Sequence, residues 1–425
     1  MTVQQRRGKL RPGNGPPRHL AGRRELLVHA MQTQTSSIIS EKGRLYLRLQ
    51  MADQVGPIRA KSLVQHFGSV EAVAAASLAE LQRVEGIGPV TARAVFESRG
   101  FHERIEQEIA VAQDNDVRIV CLEDEEYPAA LRHIADPPIC LYVRGTLEPA
   151  DAVAVGIVGT RKCSHYGREQ ATRFGELLAR AGFTVVSGLA RGIDGFAHRG
   201  AIRGKGRTLA VLGNGLSTIY PPDHEELAHE IGQRGAVLSE LPMDAPPEAK
   251  NFPGRNRVIA GLSLGTLVIE AGKRSGAMIT ARLAVEYNRE AFALPGNVDR
   301  PDWTAGSNAL IRDGTAKLVT CLEDILDELG EVGRIMAPAA DIRRDPAQHT
   351  LEGPCDPARA GNPLADACQK VLEAIAAGAA DIDSVCDTTG LNAGTVAAAA
   401  THLQLSGRIQ RRPGNRLEIR SAGAS

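Results

Sequence analysis

The chain has 425 residues, 43% hydrophobic and 24% charged, which excludes a fibrous or wholly disordered protein and fits two to four folded domains. No apolar run reaches the roughly 18 residues that span a bilayer, and the start lacks a signal-peptide pattern. Fifty Lys+Arg balance fifty Asp+Glu, so bulk charge neither supports nor excludes a polyanion, and such a partner has to be held by local basic patches.

Residues 1–40 carry seven Arg/Lys within the first thirty and little apolar periodicity, and read as a disordered basic tail. From Gly43 the pattern turns helical. Over 55–100 it gives two linked helix–hairpin–helix units, the clearer one where Gly86-Ile87-Gly88 runs into Pro89-Val90-Thr91. Such hairpins can offer backbone N–H groups to a phosphate without reading bases, although Glu85 and Pro89 weaken that surface. The helical domain is placed at 41–110.

Near Val117 the composition shifts, and RIVC and ICLYVRG read as two strands joined by a turn. From Val153 to about Leu329 apolar strands (VAVGIVG, FTVVSGL, TLAVLGN, AVLSEL, GTLVIEA, EAFALPG) alternate with amphipathic helices. That alternation predicts a parallel sheet with helices on both faces, an α/β Rossmann-like domain over 111–330. Residues 331–363, rich in Pro, Ala, Asp and Gly, read as a linker. The final segment, 364–420, gives three short helices and a basic hairpin turning at Pro413-Gly414-Asn415, the pattern of a winged helix. Between Asn392 and Leu405 there is no Lys or Arg, so the third helix is not expected to read a major groove. Arg408, Arg411, Arg412 and Arg416 leave the wing able to brush phosphate.

The seven cysteines (121, 140, 163, 321, 355, 368 and 386) are scattered, never in a CxxC, which points to reduced thiols in a cytoplasm without a zinc site or a disulfide framework. No metal or other cofactor is expected.

Several strand ends run straight into glycine turns: Gly159-Thr160-Arg161, Ser187-Gly188 with Gly192, and Gly213-Asn214-Gly215. In open α/β sheets such exits meet at the carboxyl edge, where free helix N–H groups favour anions. A fourth exit delivers FPGRNR, with Arg255 and Arg257 flanking Asn256 ahead of an apolar helix. No acid lies between Lys250 and Ile269 to pair with them, so both are expected at the same rim as Arg161, free for a phosphate. Lys273, Arg274, Ser275 and Gly276 lead into the next helix and add to the cation cluster. Over 151–320 there are 21 Lys/Arg against 17 Asp/Glu, a small excess that suits a focused patch. Phe252 reads equally as a stacking platform and as a core residue under the turn. Asp194 and His198 read as a helix-start carboxylate and a packed histidine, and no nucleophile, metal or carboxylate-pair spacing appears, so no catalysis is expected.

Gly159-Thr160-Arg161, SGLARGID at 187–194, GNG at 213–215, FPGRNRVIAGLS at 252–263, EAGKRSGAMITA at 270–281 and PGN at 295–297 with GSNALIRDGTAKL at 306–318 resemble the DNA-processing protein A (DprA/Smf) family. The resemblance runs in continuous order over about 110–320. It implies an extended Rossmann-like domain flanked by an N-terminal helix-hairpin-helix (SAM-like) domain and a C-terminal winged helix. It further implies a cytoplasmic, non-catalytic single-stranded DNA binder, commonly a homodimer, that protects incoming DNA and loads the RecA recombinase in natural transformation. Arg161 and the arginines of FPGRNR would then touch phosphates. One departure is Pro222 after Tyr220-Pro221, where members often carry a cation, so that DNA affinity is either lower here or supplied by Lys250. The competing reading is a nucleotide-processing enzyme of the phosphoribohydrolase-like group, resting on Glu270 at the end of GTLVIEAG; it lacks the Gly-Gly pair those enzymes carry, here GLSLGT.

Overall fold

The computed structural model describes residues 38–336, 363–379, 381–412 and 416–419. Most of the basic tail, most of the linker and the wing turn at 413–415 lie outside the described residues. The fold starts at Ile38 rather than at 41: the Ile38 carbonyl accepts from Ile119 N–H at 2.8 Å and Ile39 is buried, so an edge strand and the core hold these residues.

Eleven strands are described: β1 Val117–Cys121, β2 Cys140–Gly145, β3 Ala154–Gly159, β4 Thr184–Ser187, β5 Thr208–Val211, β6 Ala236–Ser239, β7 Gly265–Ile269, β8 Glu290–Ala293, β9 Lys317–Leu318, β10 Ile409–Arg412 and β11 Arg416–Ile419. The first nine form one sheet in the order β1-β2-β6-β5-β4-β3-β7-β8-β9. From β6 to β9 every neighbour is parallel, as the near-continuous apolar runs require when both faces are covered. Strands β1 and β2 extend it antiparallel through the β2–β6 pair, which the sequence pattern did not foresee.

The chain leaves β3 towards β4, β5 and β6, then returns to the other side of β3 to make β7. That reversal opens a crevice at the carboxyl ends of β3 and β7, where the loops on either side diverge. Thr160 N–H donates to the Glu270 carbonyl at 2.8 Å, which ties the two strand exits together.

Six helices, Glu41–Gln50, Pro57–Phe67, Val70–Ala75, Leu78–Leu81, Pro89–Glu97 and His102–Asp114, precede the sheet. Their apolar faces share one cluster with Ile119, Tyr142 and Val237 of the sheet, so this domain is packed onto the Rossmann face rather than strung beside it. Gln50 Nε2 donates to the Glu240 carbonyl at 2.9 Å and Met243 N–H to Glu108 Oε1 at 2.7 Å, binding the two parts by polar contacts too.

The linker is also shorter than expected. Residues Gly330–Met336 form a helix whose Ile335 and Met336 are buried in the cluster that includes Leu364, Val371 and Leu403 of the winged helix. The three helices of that domain, Pro363–Ala376, Ile382–Thr389 and Ala393–Leu405, carry the antiparallel β10–β11 hairpin. The third helix buries Val396, Ala399, Ala400 and Leu403, and His402 Nε2 lies 3.0 Å from the Pro149 carbonyl of the Rossmann domain. Among the described residues no helix is long and apolar enough to cross a membrane.

Candidate nucleic-acid interface

At the switch point a cleft of about 1010 Å³ opens between the β3 exit, the helix Asn251–Leu262 and the turn 272–276 after β7. Val158 to Arg161 form one wall, Phe252, Arg255 and Asn256 a second, and Lys273 to Gly276 a third. A side chamber of about 200 Å³ adjoins it, walled by Gly188, Gly213, Tyr220 and Phe252, with Arg161 shared between the two spaces.

The helix that carries FPGRNR begins at Asn251, so the whole motif lies inside the helix instead of ahead of it. Pro253 sits in the first turn, where its missing N–H costs no intrahelical bond. Arg255 and Arg257 are therefore both helical and, at 100° per residue, point about 200° apart. They do not converge.

Arg255 faces the cleft. It is buried, with Nη1 donating to the carbonyls of Gly188 (2.6 Å) and Val211, while Nε has no hydrogen-bond partner among the described residues. Burial lowers its pKa to about 10, opposed by the neighbouring Asp194 carboxylate, so it stays charged at neutral pH. Asp194 in turn is pushed up by burial and held back by Arg255 and by the N–H groups of Ala190 and Gly188.

Arg257 faces away. Its Nε lies 3.3 Å from Asp136 Oδ2, and its Nη2 donates to Glu240. The expectation that Arg257 is free for a phosphate is corrected: carboxylates that lie outside the acid-free stretch around it in sequence hold it inside the fold.

Arg161 is exposed at the rim, its guanidinium carbon 5.0 Å from the centroid of the Phe252 ring; the Arg255 guanidinium lies 5.9 Å from the same centroid. Phe252 is half-buried and 6.1 Å from the ring of Tyr220. It is neither a core residue nor fully exposed. Two guanidiniums thus stand within about 6 Å of the centre of one aromatic ring at the mouth of both spaces.

The remaining expected residues divide by environment. Gly159, Thr160, Asn256, Lys273, Ser275 and Gly276 line the cleft, Asn256 Nδ2 donating to the Gly276 carbonyl at 3.3 Å. Gly188 and Gly213 line the side chamber, and a Cβ on Gly213 would stand 2.9 Å from the Phe252 ring. Gly192, with φ of 80°, supports the rim from behind: a Cβ there would come within 2.7 Å of Arg161. Ser187, Asn214 and Gly215 are corrected as direct contacts. Ser187 Oγ donates to the Ile157 carbonyl at 2.6 Å, Asn214 Nδ2 ties the 215–218 loop, and Gly215 packs against the backbone of Pro242 and Met243. Lys250 is exposed outside the cleft lining and pairs with Glu248 at 2.6 Å.

Sequence reasoning passed over Tyr220 and Asp302 as members of the site. Tyr220 was visible as the aromatic of the Tyr-Pro pair; Asp302 carried no signal. Four cleft cations, Arg161, Arg255, Lys273 and Arg274, stand against two carboxylates, Asp194 and Asp302, so the cleft is positive by two charges although the chain is neutral. Glu270 lies outside the cleft lining. Its carboxylate accepts from Ser164 N–H at 2.9 Å and from Ser164 Oγ, at the start of the helix His165–Arg180. His198 is fully buried, Nδ1 2.7 Å from Thr208 Oγ1, and burial pushes it down to about 3, so it is a neutral core residue.

The family model for DNA recombination-mediator protein A matches residues 118–330, the whole sheet and this cleft. The chain belongs to the DprA/Smf family. A helix-hairpin-helix motif at 53–105 and a DprA winged helix domain at 356–415 flank the core, which agrees with the architecture above. Protein Smf of Synechocystis sp. is 34% identical over 386 residues, 86% of this chain and 96% of its own length. The DNA processing protein DprA of Bacillus subtilis is 37% identical over 232 residues, 54% of this chain and 77% of its own. Among solved structures, DNA processing protein A from Streptococcus pneumoniae superimposes with a TM-score of 0.60 at 32% identity, covering 67% of this chain and 97% of that one. Within this DprA/Smf protein the glycine turns, the Arg161–Phe252 contact and the Lys273-Arg274 turn all fall inside the matched domain.

Proposed function

We propose that the cleft binds single-stranded DNA, its backbone following the cations and an unpaired base entering the side chamber beside Phe252 and Tyr220. The observation that carries this reading is the Phe252 ring at the mouth of both spaces, with Arg161 and Arg255 against it. Cations that track a backbone beside an aromatic that stacks any base make a sequence-tolerant single-strand site. A chamber of about 200 Å³ suits one base out of its stack, and bases in a duplex are not available to it.

The protein acts by holding the strand, protecting it and passing it to RecA in natural transformation, in the cytoplasm and as a homodimer. Binding without turnover is supported by Glu270 being turned into a helix start rather than into the cleft. The test is a fluorescence-anisotropy titration of a labelled oligothymidine, followed by RecA filament assembly on the coated strand. Arg161→Ala combined with Phe252→Ala should abolish both readouts. A double variant that still binds at the wild-type level would overturn the assignment.

A further inference from the structure

We propose that the bound strand does not end at the cleft: it crosses the rim at Arg161-Lys162 and continues onto a second stacking platform, the ring of Phe196 with Arg168 and Arg199. This rests on the single-strand reading of the cleft and lengthens its footprint.

Phe196 is half-buried on the first turn of the helix Ile193–Arg203, while Ile193, Ala197 and Ala201 of that helix are buried in the core. The guanidinium carbons of Arg168 and Arg199 lie 5.2 and 5.9 Å from its ring centroid. This repeats the arrangement at Phe252, an aromatic ring with two arginines against it.

Of the acids near the platform, Glu176 pairs with Arg180 and Arg203 and Asp223 pairs with Arg191 at 2.6 Å, while Glu169 lies 3.3 Å from His165, an ion pair only when that histidine is protonated. Arg161, Lys162, Arg168 and Arg199 are exposed, and none has a carboxylate within salt-bridge distance among the described residues. Arg161 feels the charge of the buried Asp194 carboxylate, but none of the four is ion-paired among the described residues, so a polyanion finds them open.

Continuity follows from the backbone. Ile193 N–H donates to the Thr160 carbonyl at 3.2 Å, and Phe196 N–H to the Gly192 carbonyl at 3.2 Å, one turn on. On the facing helix, Arg168 N–H donates to the Ser164 carbonyl at 3.0 Å, again one turn from the segment that carries Arg161. Each side of the platform is thus set back from the rim by one helical turn, about 5.4 Å along the axis. A flexible strand leaving the cleft meets it next.

The test compares a short oligothymidine of about six nucleotides with one of about twenty, lengths that bracket the usual single-strand footprint. Phe196→Leu keeps the apolar packing and removes the ring; Arg168→Ala with Arg199→Ala removes the cations. Both should leave the short strand bound within about twofold and weaken the long strand about tenfold, the worth of one stacked base. The arginine pair should also lower the salt dependence for the long strand alone, by about 0.7 in log–log slope for each phosphate left without its cation. Wild-type affinity for the long strand in both variants would overturn the platform, and so would equal losses at both lengths, which would mean that Phe196 merely props the cleft. If Arg161→Ala leaves both lengths unaffected, it is the cleft reading that fails.

Discussion

Arg255 and Arg257 stand two residues apart on one helix and serve opposite ends of its cross-section: Arg255 reaches the Gly188 carbonyl beneath the cleft, Arg257 the carboxylates of Glu240 and Asp136. The division has consequences for each. Arg255 lines the cleft with its Nε unbonded although Nη1 is held by two carbonyls, whereas Arg257 is taken up by a buried ion pair and belongs to the fold.

Arg257→Ala leaves Glu240 uncompensated where burial already pushes its carboxyl up. Removing one partner of a buried ion pair costs about 3–5 kcal/mol, so the urea midpoint should fall sharply. The fraction still folded should bind oligonucleotide almost as well as the wild type. A stable Arg257→Ala protein that no longer binds would place this arginine in the site after all.

Arg161→Ala should do the reverse. The side chain is exposed and makes no ion pair among the described residues, so stability should change by no more than about 0.5 kcal/mol. Affinity for single strands should drop, and the slope of log K against log salt should fall by about 0.7, because one phosphate is no longer neutralised. Titrations at two or more salt concentrations measure both effects.

Gly213→Ala tests whether the position of the Phe252 ring matters. The new Cβ would stand 2.9 Å from Cδ1 of that ring, and the ring is the side that can yield. Thermal stability should change little while oligonucleotide affinity falls, because the platform is displaced from Arg161. A mutant with unaltered affinity shows that the ring's placement is not critical.

His198 should make stability acid-sensitive. Burial, with the charges of His224, Arg255 and Arg199, holds the folded-state pKa down to about 3, while the unfolded chain titrates near 6.5. The unfolded state therefore binds the proton first, and stability is lost as pH falls below about 6.5 towards 3. The expected loss from this residue is about 2 kcal/mol at about pH 5 relative to neutrality. Urea midpoints across that range should fall more steeply for the wild type than for His198→Gln, and parallel curves would remove this histidine from the account.

How far the sequence goes is clearest at three places. The alternation of apolar runs with amphipathic helices set the parallel sheet, because strands covered on both faces have to be apolar throughout. The glycine turns at 159, 188 and 213 marked the strand exits for the same reason they line the cleft and its side chamber: the Ile269 carbonyl, the Arg255 guanidinium and the Phe252 ring respectively come too close for a side chain. Asp194 and His198 were readable as structural from their helix spacing alone.

The fate of the two FPGRNR arginines was not readable. Their number and type are local facts, but their partners are not: Glu240 comes 17 residues before Arg257, and Asp136 arrives from the segment ahead of β2. The direction of each side chain depends on where the helix begins, and the apolar pattern put that start after the motif, whereas the helix begins at Asn251. Composition and motif order determined which groups exist and which edge of the sheet they approach. Only the packed chain decided which cations were neutralised and which stayed open to a ligand, because Coulomb attraction acts between groups near in space, however far apart they lie in sequence.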